Sequence, residues 1–237
     1  MIVTLDKAWK TELLFVPAKN GGGQLIGLEI IANFVGVDDG VRTPTSLVTA
    51  RLSGEQEISL FREKLAILEN CQIFFIQQKI IAWINITPAI AMALLTQKAL
   101  ADEAARFSFL ELTVEENFPE LNAVDHNHLL AQLANHFPLI LANFGAGHAS
   151  TQAVFFGLFK RIMLDKNFIQ QQALLLSFDP FMRAIIAQVQ PCCSAIMAAG
   201  VDNQQILERL EPWGLSAMQG ALWPAVDMAA LTRLVQE

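Results

Sequence analysis

One short segment has the form of an enzyme's active-site turn but lacks the charged residues that would do the chemistry. The apolar run Phe137–Ile140 leads into Leu141–Gly147, where a Phe-Gly-x-Gly turn directly follows a predicted strand. Enzymes built on parallel strands place catalytic carboxylates at such strand ends. The two residues before the turn are Ala142 and Asn143, and neither can ionise. The segment therefore predicts the backbone of an active site that has lost its charges.

Oxygen-bearing side chains recur at the ends of other predicted strands. In a parallel sheet the carboxyl ends of the strands share one edge, so the side chains there surround one site. Carboxylate and amide oxygens are the ligands that hard divalent cations prefer. The residues expected at this edge are Glu29, Asn85, Glu111, Asn143, Asp165, Ala199 and Gln219.

The elements that would position these residues begin with a hairpin and a long helical region. Apolar segments at Leu13–Val16 and Leu25–Ile31 flank three consecutive glycines, which predicts an N-terminal hairpin. Helical periodicity covers Pro44–Asn70. Within it, Ser53 is a plausible N-cap, and Gln56 three residues later gives the spacing of a capping box.

Beyond this region, strands and helices alternate. Predicted strands cover Ile81–Asn85, Phe109–Leu112, Leu139–Asn143, Arg161–Asp165, Ala195–Ala199 and Ala217–Gln219. Predicted helices cover Ala89–Gln97, Asn127–Asn135, Ala149–Leu158, Asn167–Leu175, Pro180–Gln190, Asn203–Leu210 and Met228–Val235. Repeated β-α units favour a parallel sheet closed into an α/β barrel, with an open doubly wound sheet as the alternative. No linker divides the chain, so residues 1–237 are predicted to form a single domain.

Composition and charge argue against several functional classes. The 237 residues carry a formal net charge of −7 without a lysine and arginine cluster, which disfavours direct nucleic-acid binding. No apolar run is long enough for a membrane span, and the first residues lack the pattern of a signal peptide. The cysteines Cys71, Cys192 and Cys193 lack zinc spacing and are expected to be reduced thiols. We therefore expect a cytoplasmic protein that contacts neither membranes nor nucleic acid.

The strand-end segments resemble, in the right order, the motifs of the EAL domain, a family of cyclic-di-GMP phosphodiesterases. The matching segments, from the family's Glu-Ala-Leu-Leu-Arg to its Gln-Gly, are Glu29–Asn33, Pro44–Val48, Trp83–Thr87, Glu111–Val114, Ala142–Gly147, Met163–Asp165, Ala198–Asp202 and Gln219–Gly220. The resemblance runs from about Leu13 to the C-terminus. It implies a single EAL-type TIM-like barrel, with mostly parallel strands and an N-terminal hairpin.

The resemblance also implies which metal ligands are retained and which are lost. EAL enzymes hold two divalent cations with carboxylates from several strand ends, and the cations generate the attacking hydroxide. The ligand positions that this chain retains are Glu29, Asn85 and Glu111. At the family's paired aspartates and later glutamate, the chain has Ala142, Asn143 and Ala199.

Further losses concern the residues that orient water, substrate and loop. The family's active-site lysine corresponds to Met163, its phosphate-pairing arginine to Asn33, and the second glutamate of Glu-Ile-Thr-Glu to Val114. Two divalent cations carry four positive charges, whereas Glu29 and Glu111 supply only two negative charges. We therefore expect no metal or other cofactor and no phosphodiesterase activity.

The resemblance implies that the fold serves recognition instead of catalysis. Segments such as Pro191–Cys193 and Leu222–Val226 resemble a degenerate member of the family that regulates transcription by binding a protein. The implied partner is the FlhD subunit of the flagellar master regulator FlhDC. A sensor that binds cyclic-di-GMP without hydrolysis and a residual phosphodiesterase are the alternatives. The lost arginine at Asn33 and the absence of tyrosine predict weak or absent cyclic-di-GMP binding.

Overall fold

A computed structural model describes residues 1–5, 7–119, 121, 128–147 and 154–235 of the chain. Within these ranges, eight strands close into a ring in which β2 is antiparallel to both of its neighbours and the others run parallel. Two short strands, β1 and β4, extend the ring at β2 and β3. The strands are β1 (Ile2–Thr4), β2 (Ala8–Lys19), β3 (Leu25–Gly36), β4 (Arg42–Thr43), β5 (Ile81–Asn85), β6 (Leu110–Glu115), β7 (Leu139–Phe144), β8 (Phe159–Leu164), β9 (Ala195–Ala198) and β10 (Ala217–Met218).

Helices pack around the outside of this ring. They are α1 (Thr45–Thr49), α2 (Gly54–Gln78), α3 (Pro88–Thr96), α4 (Lys98–Ala105), α5 (Leu129–Ala134), α6 (Lys166–Gln172), α7 (Phe178–Val189) and α8 (Gln204–Leu210), with 3-10 turns at Gln190–Cys192, Glu211–Trp213 and Met228–Val235. The predicted α/β barrel is confirmed. None of the helices in the described ranges is both long enough and apolar enough to cross a membrane.

The N-terminal hairpin closes the barrel. Its strands β2 and β3 pair along their whole length, from Trp9 opposite Gly36 to Lys19 opposite Leu25. The end of β2 also pairs with β10, through Lys19 and Met218. The predicted hairpin is therefore confirmed, and the open doubly wound sheet is wrong, because one strand of the hairpin bonds to both ends of the parallel series.

The predicted helical region at Pro44–Asn70 is two helices. Helix α1 ends at Thr49, and α2 begins after Ser53, whose Oγ accepts a hydrogen bond from Gln56 N at 3.3 Å. Gln56 Oε1 in turn accepts one from Ser53 N at 2.9 Å, so the predicted capping box is present. Helix α2 continues to Gln78 and stops at the left-handed residue after it.

Several other boundaries differ from the sequence-based prediction. The strand predicted at Phe109–Leu112 is β6, which runs three residues further, to Glu115. The predicted final helix, Met228–Val235, is a 3-10 helix. Half of the predicted helix Ala149–Leu158 and the first residue of Asn127–Asn135 lie outside the described residues. The extension of β6 matters most, because it changes which side chain stands at the strand end.

Two apolar clusters pack against the barrel wall, one on its outer side and one on its inner side. The larger cluster lies between the strands and the surrounding helices, and includes Phe15, Phe61 and Phe75. The smaller cluster fills the inside of the ring and consists of Ala18, Trp83, Ile140, Ala142, Met163, Met197 and Ala217. The interior is therefore packed with side chains, as expected for eight strands.

Trp83 requires a glycine on the neighbouring strand. A β-carbon added to Gly27 would lie 2.5 Å from the Trp83 ring, closer than packed carbon atoms can approach. The indole therefore occupies the space that any other residue at position 27 would use. The glycine is needed for this close approach and not for a turn.

Gly27→Ala should reduce the free energy of unfolding by about 1–3 kcal/mol, because the added methyl group overpacks the barrel interior. Urea denaturation would measure the change. Gly21→Ala is the matched control, since a β-carbon there meets its nearest atom at an ordinary 3.7 Å. Equal stability of the two variants would contradict the proposed role of Gly27.

Candidate functional site

The interior side chains of β6 define three levels of the barrel. Side chains alternate along a strand, so Glu111, Thr113 and Glu115 face the interior at successive heights. Glu111 lies near the amino end of the strand and Glu115 at its carboxyl end. Thr113 lies between them, on the same small hollow as Trp83.

The upper level, at the carboxyl ends of the strands, gathers several of the predicted site residues. Gln219 Nε2 donates to Glu29 Oε2 at 3.3 Å, and Asn85 Nδ2 donates to Glu115 Oε1 at 3.3 Å. Asn85 Oδ1 is buried and accepts no hydrogen bond from the residues that the structure describes. The structure thus brings Glu29, Asn85 and Gln219 to one end of the barrel, as predicted, and adds Glu115.

The electrostatics of Glu29 are dominated by its burial. Removal from water raises the pKa of this carboxyl group above its ordinary value, and Glu115 adds to the increase. The positive charge of Lys64 and the hydrogen bond from Gln219 lower the pKa but do not offset burial. The upper level therefore tolerates negative charge poorly, although this is where the family holds cations.

The predicted position of Glu111 is wrong. It is the second residue of β6, so its side chain lies at the lower level, away from Glu29 and Asn85. Its oxygens accept hydrogen bonds from Arg161 Nε at 2.8 Å and from Trp83 Nε1 at 3.1 Å, and pair with Lys160 Nζ at 2.8 Å. The error follows from the short predicted strand, which made Glu111 appear close to the strand end.

Glu111 is a buried anion held by two cations. Burial alone would raise its pKa, but the hydrogen bonds from Lys160 and Arg161, the charge of Arg161 and the bond from Trp83 outweigh it. Together they hold the pKa of Glu111 below its ordinary value. The group is ionised and fully occupied by its partners, so it is not available as a metal ligand.

At three of the expected charged positions, the chain contributes to an apolar cluster. Ala142 and Met163 are buried inside the ring beside Trp83 and Ile140, and Ala199 packs against the same cluster. Because these positions carry apolar side chains and not carboxylate or ammonium groups, hydrocarbon fills the barrel interior below the upper level. A hydrated cation would find no ligands there.

Backbone features of an active-site turn remain at Asn143. The register between β7 and β8 shifts between Leu141 and Phe144, which marks a bulge of the kind common beside active sites. Asn143 has a left-handed φ of 58°, a conformation that asparagine adopts more readily than most residues. Glu116 Oε1 accepts a hydrogen bond from Gly145 N at 3.2 Å, which fixes the turn to the end of β6.

Asp165 lies at the start of a helix, and Asn33 lies within a strand. Asp165 caps helix α6, because its Oδ1 accepts a hydrogen bond from Phe168 N at 2.8 Å. Asn33 lies on β3, half-buried opposite Glu12. In the described ranges, no group of three or more histidine, cysteine, aspartate or glutamate side chains could hold a metal ion. The residues present do not fit a two-cation centre.

Three relevant side chains were missed by sequence reasoning. Glu115 and Glu116 follow a strand that was predicted to end at Leu112, so neither was considered. Strict alternation from Glu111 through Thr113 would have placed Glu115 on the interior face. Lys64 has no comparable signal, because a lysine within an amphipathic helix ordinarily faces water.

The chain matches the EAL domain over residues 11–224. It belongs to the EAL-domain family. It is 57% identical over 236 residues to the anti-FlhC(2)FlhD(4) factor YdiV of Salmonella arizonae, and 45% identical to the putative anti-FlhC(2)FlhD(4) factor YdiV of Escherichia coli, with full coverage of both chains in each case. A crystal structure of the EAL-like domain protein YdiV superimposes with a TM-score of 0.89 at 46% identity, covering 97% of each chain. The predicted family resemblance is confirmed.

Glu111→Gln should lower the free energy of unfolding by about 2 kcal/mol at pH 7, because it removes the buried charge that accepts hydrogen bonds from Arg161 and Lys160. The folded-state pKa of Glu111 is depressed, so its stabilisation is complete above the ordinary carboxyl pKa of 4.5 and is lost as the pH falls through the folded value. The difference between wild type and variant should therefore shrink in acid.

Urea denaturation between pH 7 and pH 3 would measure this dependence. Glu69→Gln is the control, because the Glu69–Arg106 pair is half exposed and should contribute less than about 1 kcal/mol. A pH-independent difference for Glu111→Gln would show that packing, not charge, explains its effect.

Proposed function

We propose that the chain is a catalytically inactive EAL-domain protein that regulates transcription by binding the flagellar master regulator, through its FlhD subunit. The observation that carries the proposal is full-length similarity, at up to 57% identity, to proteins named as factors against FlhC(2)FlhD(4). The negative net charge of −7 suits a protein that competes with DNA for a DNA-binding partner. The proposal treats residues 1–237 as one domain acting in the cytoplasm.

The geometry of β6 supports a different match to the family's Glu-Ile-Thr-Glu motif. If the motif corresponds to Thr113–Glu116, its first glutamate is Thr113, on the interior face between Glu111 and Glu115. Its second glutamate is then Glu116, which bonds to the active-site turn at Gly145. In this alignment the loop-steadying residue is kept, and the metal ligand once assigned to Glu111 is lost.

The remaining ligand set is too small for catalysis. Among the expected metal positions, only Glu29 and Asn85 keep an oxygen ligand of the family's type, and Asn143 offers a neutral amide. Ala142, Met163 and Ala199 leave no ligands and no lysine at the other positions. The cations generate the nucleophile in the two-metal mechanism. Without them the hydrolytic step is abolished and not merely slowed. Neither the sensor nor the residual phosphodiesterase is favoured by the similarity to YdiV.

The purified protein should not hydrolyse cyclic-di-GMP in magnesium or manganese. Product formation measured by chromatography should stay at the level of a buffer control, and calorimetry with manganese should show no binding at micromolar concentration. An active EAL enzyme assayed in parallel would establish that the conditions support turnover. Metal-dependent product above background would contradict the proposed loss of catalysis.

An exposed apolar segment between α6 and α7 offers a surface for the partner. Leu176 is fully exposed, and Leu174, Leu175 and Phe181 are exposed beside it. The ring centroids of Phe181 and Phe168 lie 5.0 Å apart, so the two rings pack together beside the exposed leucines. Leucines with this exposure are costly in water, and such patches commonly mark protein interfaces.

Mixing the protein with purified FlhC(2)FlhD(4) should give a complex on size-exclusion chromatography and should reduce operator binding in a gel-shift assay. Leu176→Asp should weaken the complex at least tenfold, because it places a charge in the centre of the apolar segment. Met92→Asp is the control, since Met92 is also an exposed apolar residue but lies on α3. Absence of any complex with the wild-type protein would contradict the proposed function, whereas an unchanged Leu176→Asp complex would contradict only the proposed surface.

A further inference from the structure

A cavity of about 650 Å³ opens beside the upper level of the barrel, between β3, β5 and helices α1, α2 and α3. Its walls are apolar at Ile30, Leu60, Phe61 and Ile90. The volume is ample for a small organic molecule. The proposed partner interaction does not account for this space, which adjoins the residual strand-end ligands Glu29 and Asn85.

Lys64 is the unusual residue of this cavity. Its side chain is only 9% exposed, and it makes no hydrogen bond or ion pair with the residues that the structure describes. Burial lowers its pKa to about 8, and only the charge of Glu29 opposes this decrease. An ammonium group with three donors is costly to bury without acceptors. The cavity therefore has room for an acceptor next to Lys64.

Several of the other polar groups that line the cavity are acceptors, which require hydrogen-bond donors from a ligand. Asn85 Oδ1 is buried without a partner in the described part of the chain, and Glu29, Glu57 and Glu115 also line the cavity. Glu57 Oε2 already accepts from Thr87 Oγ1 at 2.6 Å, and Glu115 Oε1 accepts from Asn85 Nδ2. Three carboxyl groups against one ammonium group give the lining an excess of negative charge. A doubly phosphorylated ligand would be repelled, whereas ammonium groups would be attracted.

We propose that this cavity is a binding site for a free basic amino acid, whose carboxylate pairs with Lys64 and whose ammonium groups bond to Asn85 Oδ1 and the neighbouring carboxylates. Such a molecule carries one acceptor group and two cationic donor groups, which matches the unsatisfied groups and the charge of the lining. The apolar walls then contact its methylene chain. The site is distinct in chemistry from one that holds a cyclic dinucleotide.

Calorimetric titration of the full chain tests the proposal with four probes. L-lysine should bind, cadaverine should bind more weakly because it lacks the carboxylate, and L-norleucine should bind more weakly because it lacks the second ammonium group. Cyclic-di-GMP should compete with none of them. Failure of L-lysine to bind, or equal binding of L-lysine and cadaverine, would overturn the proposal.

Lys64→Met keeps most of the length of the unbranched side chain and removes its charge. The variant should bind L-lysine at least tenfold more weakly, because a charge-assisted hydrogen bond is lost. It should also melt at a higher temperature than wild type without ligand, since burial of the Lys64 ammonium group costs more than the attraction of Glu29 contributes. Lys98→Met, at the exposed start of α4, is the control and should change neither property. Unchanged L-lysine affinity in Lys64→Met would assign any binding to another part of the protein.

Discussion

Closure of the barrel is the constraint on which the rest of the structure depends. Eight strands leave an interior that only inward-facing side chains can fill, so every residue on that face must suit its height in the ring. Closure itself rests on β2, which pairs with β3 from Trp9 to Lys19 and with β10 at its end. The large Trp83 ring fits only because Gly27 has no side chain. A substitution at one interior position therefore alters the packing of its neighbours on other strands.

This constraint explains where charge can remain inside the protein. Glu111 is tolerated at the lower level because Lys160, Arg161 and Trp83 together satisfy both of its oxygens. Elsewhere in the interior, Ala142 and Met163 pack with Trp83 in an apolar cluster. Burial of an isolated charge costs far more than burial of a methionine. Apolar groups such as Ala142 and Met163 are therefore favourable at interior positions where a charge would have no partner.

The sequence predicted the barrel and most strand ends because both depend on local patterns. Alternating β-α units and the order of the strand-end motifs do not require exact boundaries, and Glu29, Asn85 and Gln219 were placed at one end of the barrel correctly. Glu111 was misplaced because its level depends on where β6 ends, and alternation makes a short error in a boundary change the height of a side chain. Lys64 could not have been predicted, since its burial arises from packing of α2 against strands distant in sequence.

The turn at Asn143 shows that backbone shape and chemical groups can be lost separately. The bulge in β7, the left-handed Asn143 and the bond from Gly145 to Glu116 depend on strand register and glycine conformation, which metal ions do not determine. The carboxylates expected in the same segment would serve only the chemistry, and Ala142 at that position packs into the apolar interior. A protein that needs the outer surface of the barrel must keep the first set and has no physical reason to keep the second. The turn is therefore evidence of the barrel's backbone geometry and not of a reaction, which agrees with a fold used for recognition.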